Sequence, residues 1–237
     1  MQVEAPAKGK VKEKQKRASI DKSISDTILP YLSPPLRTAV ELLWLTTARP
    51  SEVLGLRVEH IQKTGAILLR GGARLNLAEE KVWATLLTEH KTAGLGFERI
   101  LFFGPCAQAL LTPYLKGTGY LFKPSEGRAF QLAELARKMT TTGKGSKKPV
   151  KGEKGKRRPG EFYSSHALSK AVGKACKQAG VAHFVPYSIR HSASAVVRDA
   201  HGTEAAGVYM GHRPRGVTGG YVGNDLKLAA LVARKSG

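Results

Sequence analysis

The sequence predicts a mainly helical α+β chain that carries one small antiparallel sheet. Between residues 33 and 56 apolar side chains return every three or four positions, the period of a helix face. Runs of strand length, rich in β-branched and aromatic residues, cluster between residues 65 and 104. Beyond residue 163 the chain returns to segments with helix starts, helix stops and small apolar residues.

In chain order, residues 1–24 are Lys-rich and poor in large apolar groups, the composition of a flexible basic tail, and residues 25–237 form the folded domain. In "SPPLRTAVELLWLTTARPSEVLGL" Val40, Leu43, Trp44 and Thr47 share a helix face, and Pro50 suits the first turn of a second, short helix. Arg49 falls in the joint between them. "GAILLR", "KVWATLL" and "ERILFFG" are the strands, with "TEHKTAGLGF" as the turn between the last two. "AQALLTPYL" resumes a helix. The stretch "TTTGKGSKKPVKGEKGKRRPGEF" breaks it with Gly, Pro and Lys, which predicts a flexible basic insertion at about 140–160 or a basic strap over a polyanion. "SSHALSKAVGKACKQAG" opens on a Ser cap and stops at Gly180. "RHSASAVVRDA" and "TEAAGVYMGH" are two helices, and "DLKLAALVARK" is a last helix capped by Asp225.

Charge narrows the function. Lys and Arg number 39 against 18 Asp and Glu, a net charge of +21, so the surface field attracts polyanions, and nucleic acid is the default partner. A chain of 237 residues can bury a proper core without a staple. There is no long apolar run for a spanning helix and no cleavable signal at the Lys-rich start, which reads as a soluble, cytoplasmic, nucleoid-associated protein without a membrane partner. The two cysteines, Cys106 and Cys176, lack zinc-site spacing and read as buried small apolar residues. No cofactor or metal motif is present in the sequence.

One segment, "VPYSIRHSASAVVRDAHGTEAAGVYMGHRPRGVTGGYV" at residues 185–222, sets Arg190, His212 and Tyr221 among alanine, glycine and valine with few acids. Together with an arginine in "TARPSEVLGLR" and a lysine in the "EHKT" turn, it completes an ordered set. In this set the chain resembles the catalytic domain of the tyrosine recombinases, the phage-integrase family of DNA strand-exchange enzymes, over roughly residues 25–235. The resemblance implies a catalytic set of Arg49, Lys91, Arg190, His212 and Tyr221. The departure is Tyr187, three residues before Arg190, where the family most often has histidine.

That chemistry needs these residue types. Attack on a phosphodiester adds charge to its non-bridging oxygens, and paired planar guanidinium donors hold those oxygens in a way lysine cannot copy. The resemblance implies that Arg49 and Arg190 form this clamp and that Tyr221 attacks phosphorus to give a 3′-phosphotyrosine. Lys91 then protonates the departing 5′ oxygen, and His212 bonds the phosphate or orients the nucleophile. Cationic side chains take the place of a metal. Glu52, one turn after Arg49, is an orienting partner for it. Tyr187 is either a packed aromatic or a phosphate contact, and His90 and His191 are structural.

Taken singly, each of these residues has a structural reading: a surface arginine, a solvated lysine, a histidine capping carbonyls, a core tyrosine. Their joint order favours the site. Two other functions remain open, a type IB topoisomerase with a similar residue set and a DNA-binding protein that keeps the fold without turnover. The implied partners are double-stranded DNA and further protomers in a tetrameric synaptic assembly, the chain being monomeric without DNA. Fewer than about thirty residues precede the first helix, so the N-terminal core-binding domain usual in that family is expected to be absent from this chain.

Overall fold

The computed structural model describes residues 19–69, 72–87, 98–141, 159–211 and 223–236. Helices α1 (Lys22–Ile28), α2 (Pro34–Thr46) and α3 (Pro50–Leu54) come first. Strands β1 (Ala66–Leu68) and β2 (Arg74–Asn76), the short α4 (Leu77–Glu80), and strands β3 (Trp83–Leu87) and β4 (Arg99–Phe103) follow. Then come α5 (Pro105–Leu111), α6 (Pro124–Thr141), α7 (Ser165–Ala179), α8 (Pro186–Tyr209) and α9 (Gly223–Ser236). The fold is mainly helical with small antiparallel sheets. Five helices begin on proline, whose missing N–H costs nothing in the first turn and whose φ is already helical. The Ser164 hydroxyl accepts from the Ala167 N–H at 3.1 Å, and Gly180 ends α7 in the left-handed region at φ 70°, the start and stop its sequence predicts.

Three expectations change. The strands form two hairpins in place of one sheet: β1 pairs with β2, β3 pairs with β4, and an isolated bridge joins Gln62 to Ala84 of β3. β2 escapes the sequence pattern because Leu75 is its single buried residue. The last helix starts at Gly223, so Asp225 lies in its first turn and does not cap it. Cys106 is exposed on α5, whereas Cys176 is buried. α6, rich in Ala, Leu and Glu, has no counterpart in the sequence reading. Of the expected tail, residues 19–24 are described: Ile20 N–H and the Ser19 hydroxyl meet the Ser192 hydroxyl of α8 at 2.8 and 3.0 Å, and Lys22 opens α1. Residues 142–158 of the expected insertion lie outside the described residues.

Two hydrophobic cores share one strand. Every residue of β4 is buried, and because side chains alternate along a strand, Leu101 and Phe103 enter a helical core with α2, α3, α5 and α7 while Ile100 and Phe102 enter a second core with α9 and the end of α8. α8 also belongs to both, through Ile189 in the first core and Val197 to Tyr209 in the second. Gly202 breaks it at φ 86°, so it is two helices meeting at a bend, as the two sequence segments predict. No helix among the described residues is long and apolar enough to cross a membrane.

Shared β4 predicts separable damage. Phe102→Ala and Phe103→Ala each remove a wholly or almost wholly buried ring and should each cost ~3–5 kcal/mol. Hydrogen exchange should rise first in α9 for Phe102→Ala and first in α2 for Phe103→Ala. Identical exchange patterns for the two variants would show a single undivided core.

Candidate active site

The joint between α2 and α3 is built around Thr47, a residue with positive φ (50°) that ends α2. A threonine there costs on the order of 1–2 kcal/mol in backbone strain, which the surroundings must outweigh. They do so through its carbonyl, which accepts a hydrogen bond from Arg190 Nη1 at 2.5 Å. Two residues on, Arg49 precedes Pro50, and Glu52 reaches back to accept from the Arg49 N–H at 2.8 Å and from Arg49 Nη1 at 2.5 Å. Glu52 is therefore tied to Arg49 at both backbone and side chain. Its second oxygen lies 3.9 Å from Arg190 Nη1.

Arg190 sits in the first turns of α8 and is 2 % exposed. Its Nη2 donates to the Met210 carbonyl at 3.1 Å, twenty positions further along the chain. In a straight helix that separation would be about 30 Å, so the contact exists only because the chain turns at Gly202. Tyr209 fastens the same corner, its hydroxyl donating to the Leu45 carbonyl at 2.7 Å. The ends of α2 and α8 thus face each other, and side-chain donors fill carbonyls that helix ends leave unpaired.

A third guanidinium completes the corner, and the sequence reading missed it. Arg99, the first residue of β4, is 3 % exposed and donates from Nη1 to the Tyr209 carbonyl at 3.0 Å. Gly211, at φ 68°, lies flat against it: a Cβ there would overlap Arg99 Nη1 and come within 2.8 Å of its Cδ. In "ERILFFG" Arg99 shares the parity of Leu101 and Phe103, but Ile100 and Phe102 make the opposite face equally apolar, so alternation alone does not mark it.

The electrostatics follow from this crowding. Burial alone would raise the Glu52 carboxyl, but the Arg99 charge and the hydrogen bonds from Arg49 outweigh it and hold the group below its ordinary value. Arg190 is pulled down to about 10, first by burial and next by the Arg99 charge, with Glu52 opposing. It remains charged at neutral pH. The side chain of Arg49 keeps 24 % exposure and is the part of the cluster that solvent reaches. Tyr187, half-buried one turn before Arg190, has its ring edge-on to His191 at 5.1 Å between centroids.

Of the residues singled out in the sequence, Arg49, Glu52 and Arg190 come together here and Tyr187 adjoins them, while Lys91, His212 and Tyr221 lie outside the described residues. Lys170, Lys174 and Lys177 project from one side of α7, with His166 and His183 lining the same groove.

No family model and no curated protein matches the chain. Among solved structures it is similar to the XerH site-specific recombinase bound to difH substrate in a pre-cleavage complex, at a TM-score of 0.47 and 14 % identity. The match covers 86 % of this chain and spans half the length of the other.

Glu52 generates a prediction with a defined pH window. Because its folded-state pKa is depressed, the stability it contributes is complete above the ordinary carboxylate value of 4.5 and is lost as pH falls through the folded value. Glu52→Gln leaves Arg190 and Arg99 without their counter-charge and should destabilise by ~3–5 kcal/mol at about pH 7. The gap from wild type in urea midpoint should hold down to about pH 4.5 and narrow below it. A gap that stays constant through the acid range would separate Glu52 ionisation from stability.

Proposed function

We propose that the chain cleaves and rejoins DNA strands at specific sites, by the phosphotyrosine chemistry of the tyrosine recombinases. The observation that carries this reading is the meeting of Arg49 and Arg190, from two distant motifs, around one carboxylate that fixes them. A phosphodiester is the ligand that such a pair suits: Arg49 presents a partly exposed guanidinium, and the buried Arg190, whose Nη1 and Nη2 already hold the Thr47 and Met210 carbonyls, adds positive charge behind it. Glu52 orients Arg49 and stays ionised, so it neither donates a proton nor leaves the arginines unopposed. The net charge of +21 and the lysines along α7 support a polyanionic partner.

In this mechanism the Tyr221 hydroxyl gives up its proton to water as its oxygen attacks phosphorus, the bond from phosphorus to the 5′ oxygen breaks, and Lys91 supplies the proton that the departing oxygen takes up. Arg49 and Arg190 hold the charge that builds on the non-bridging oxygens, and His212 assists at the phosphate or the nucleophile. The 3′-phosphotyrosine conserves the bond energy, and a 5′ hydroxyl attacks it to restore a phosphodiester and free the tyrosine. Recombination requires a second duplex and further protomers, arranged as a tetramer on DNA.

A duplex nicked near its cleavage site traps the intermediate. A covalent adduct should form and map to Tyr221 by mass; Tyr221→Phe should bind DNA and form none. Arg49→Lys, at the more exposed position, should slow adduct formation on the order of a hundredfold or more. Labelling of another tyrosine would remove Tyr221, near-normal cleavage by the lysine variant would remove the clamp, and relaxation of supercoils without synapsis would assign the chemistry to a topoisomerase.

DNA binding itself has a salt signature. Log affinity should fall steeply with log salt concentration, and replacing Lys170, Lys174 and Lys177 by Gln should make the slope shallower by about 0.9 for each lysine that meets a phosphate. An unchanged slope would take α7 off the duplex.

A further inference from the structure

Arg99 has no part in the mechanism above, yet its placement is costly for a residue that only holds one carbonyl. Its Nη1 bonds the Tyr209 carbonyl, but among the described residues neither Nε nor Nη2 has a hydrogen-bond partner, although the side chain is 97 % buried by the 3 % exposure of the residue. A buried donor left unmade has given up its water without gaining a bond in exchange. Its charge adds to the cost, since it is the strongest cationic influence depressing Arg190.

Charge counting points the same way. Arg49, Arg99 and Arg190 act on Glu52, so three positive groups meet one negative group and the cluster is left at +2. Helix-end carbonyls offset part of that, as the negative poles of α2 and α8. They do not supply a full counter-charge.

We propose that Arg99 is a third guanidinium of an anion receptor, and that a phosphate group supplies the charge and the acceptors that Arg49, Arg99 and Arg190 together lack. The proposal rests on the reading of Arg49 and Arg190 as a phosphate clamp and deepens it. Gly211 belongs to the same device, because any side chain at that position would push the Arg99 guanidinium from its place.

The test is thermal unfolding of the full chain in rising inorganic phosphate, with chloride keeping the ionic strength constant. Wild type should show a saturable rise in melting temperature, as expected when a ligand binds the folded state. Arg99→Gln removes the charge while keeping a polar side chain, and should need roughly tenfold more phosphate for the same rise, the loss of a charge-assisted contact. Arg99→Lys should restore much of the response. Arg128→Gln, an exposed change on α6, should leave it at the wild-type value. An Arg99→Gln response equal to wild type, on a lowered baseline, would make Arg99 a structural residue and overturn the proposal. So would a wild-type chain with no saturable response, or an Arg99→Gln chain that cannot fold together with an Arg99→Lys chain that folds and shows no phosphate response. Adduct formation is scored separately on the nicked duplex: no adduct with an Arg99-dependent phosphate response removes the strand-cleavage reading alone, and an adduct with an Arg99-independent response removes this one alone.

Discussion

The fork of Arg190 is the interaction on which the rest of the candidate site depends. One nitrogen holds the Thr47 carbonyl at the end of α2 and the other holds the Met210 carbonyl at the end of α8. A buried guanidinium is expensive in an apolar interior, and here it is made tolerable by two carbonyls at the negative ends of helices and by Glu52 at 3.9 Å. In return it keeps a threonine in a left-handed conformation and holds the α2–α3 joint in register. The position of Arg49 follows from that joint. Fold and site are therefore secured by the same bonds, and a residue read in the sequence as chemistry also does structural duty.

This double duty explains what could be seen in the sequence. Arg49 and Arg190 stood out because of the motifs around them, and Glu52 because a spacing of three places it one turn from Arg49. Helices with sharp punctuation were equally visible: the proline starts, the Ser164 cap, the Gly180 stop. The sequence did not announce α6, whose Leu132 and Leu135 are exposed and so leave no clean apolar face. It did not separate the two hairpins, since three-residue strands carry too few alternations to register. Arg99 was hidden for a different reason. A cation at the start of an apolar strand reads as a solvated edge, and only the packing of β4 between two cores turns that position inward.

Glu52 and Arg99 oppose each other across the cluster in a way that single substitutions would blur. The carboxylate lowers the cost of burying Arg190, and Arg99 raises it, so the two act in opposite directions on the same buried charge. Groups coupled this closely do not contribute additively. The stability of the corner is thus set by a few mutually dependent charges, and a change at one of them is felt at the rest.

The bend at Gly202 carries a consequence for how this stretch of chain can vary. Arg190 and Met210 lie on opposite arms of a bent α8 and are stapled to each other, so the arm from residue 203 to residue 210 has a fixed length to deliver its last carbonyl. Adding or deleting one residue there would swing that carbonyl by about 100° around the helix axis and draw it ~1.5 Å along it, away from both buried arginines. Exchanging exposed side chains on the same arm would do neither. The segment tolerates rewriting but not respacing, a demand on count rather than on composition.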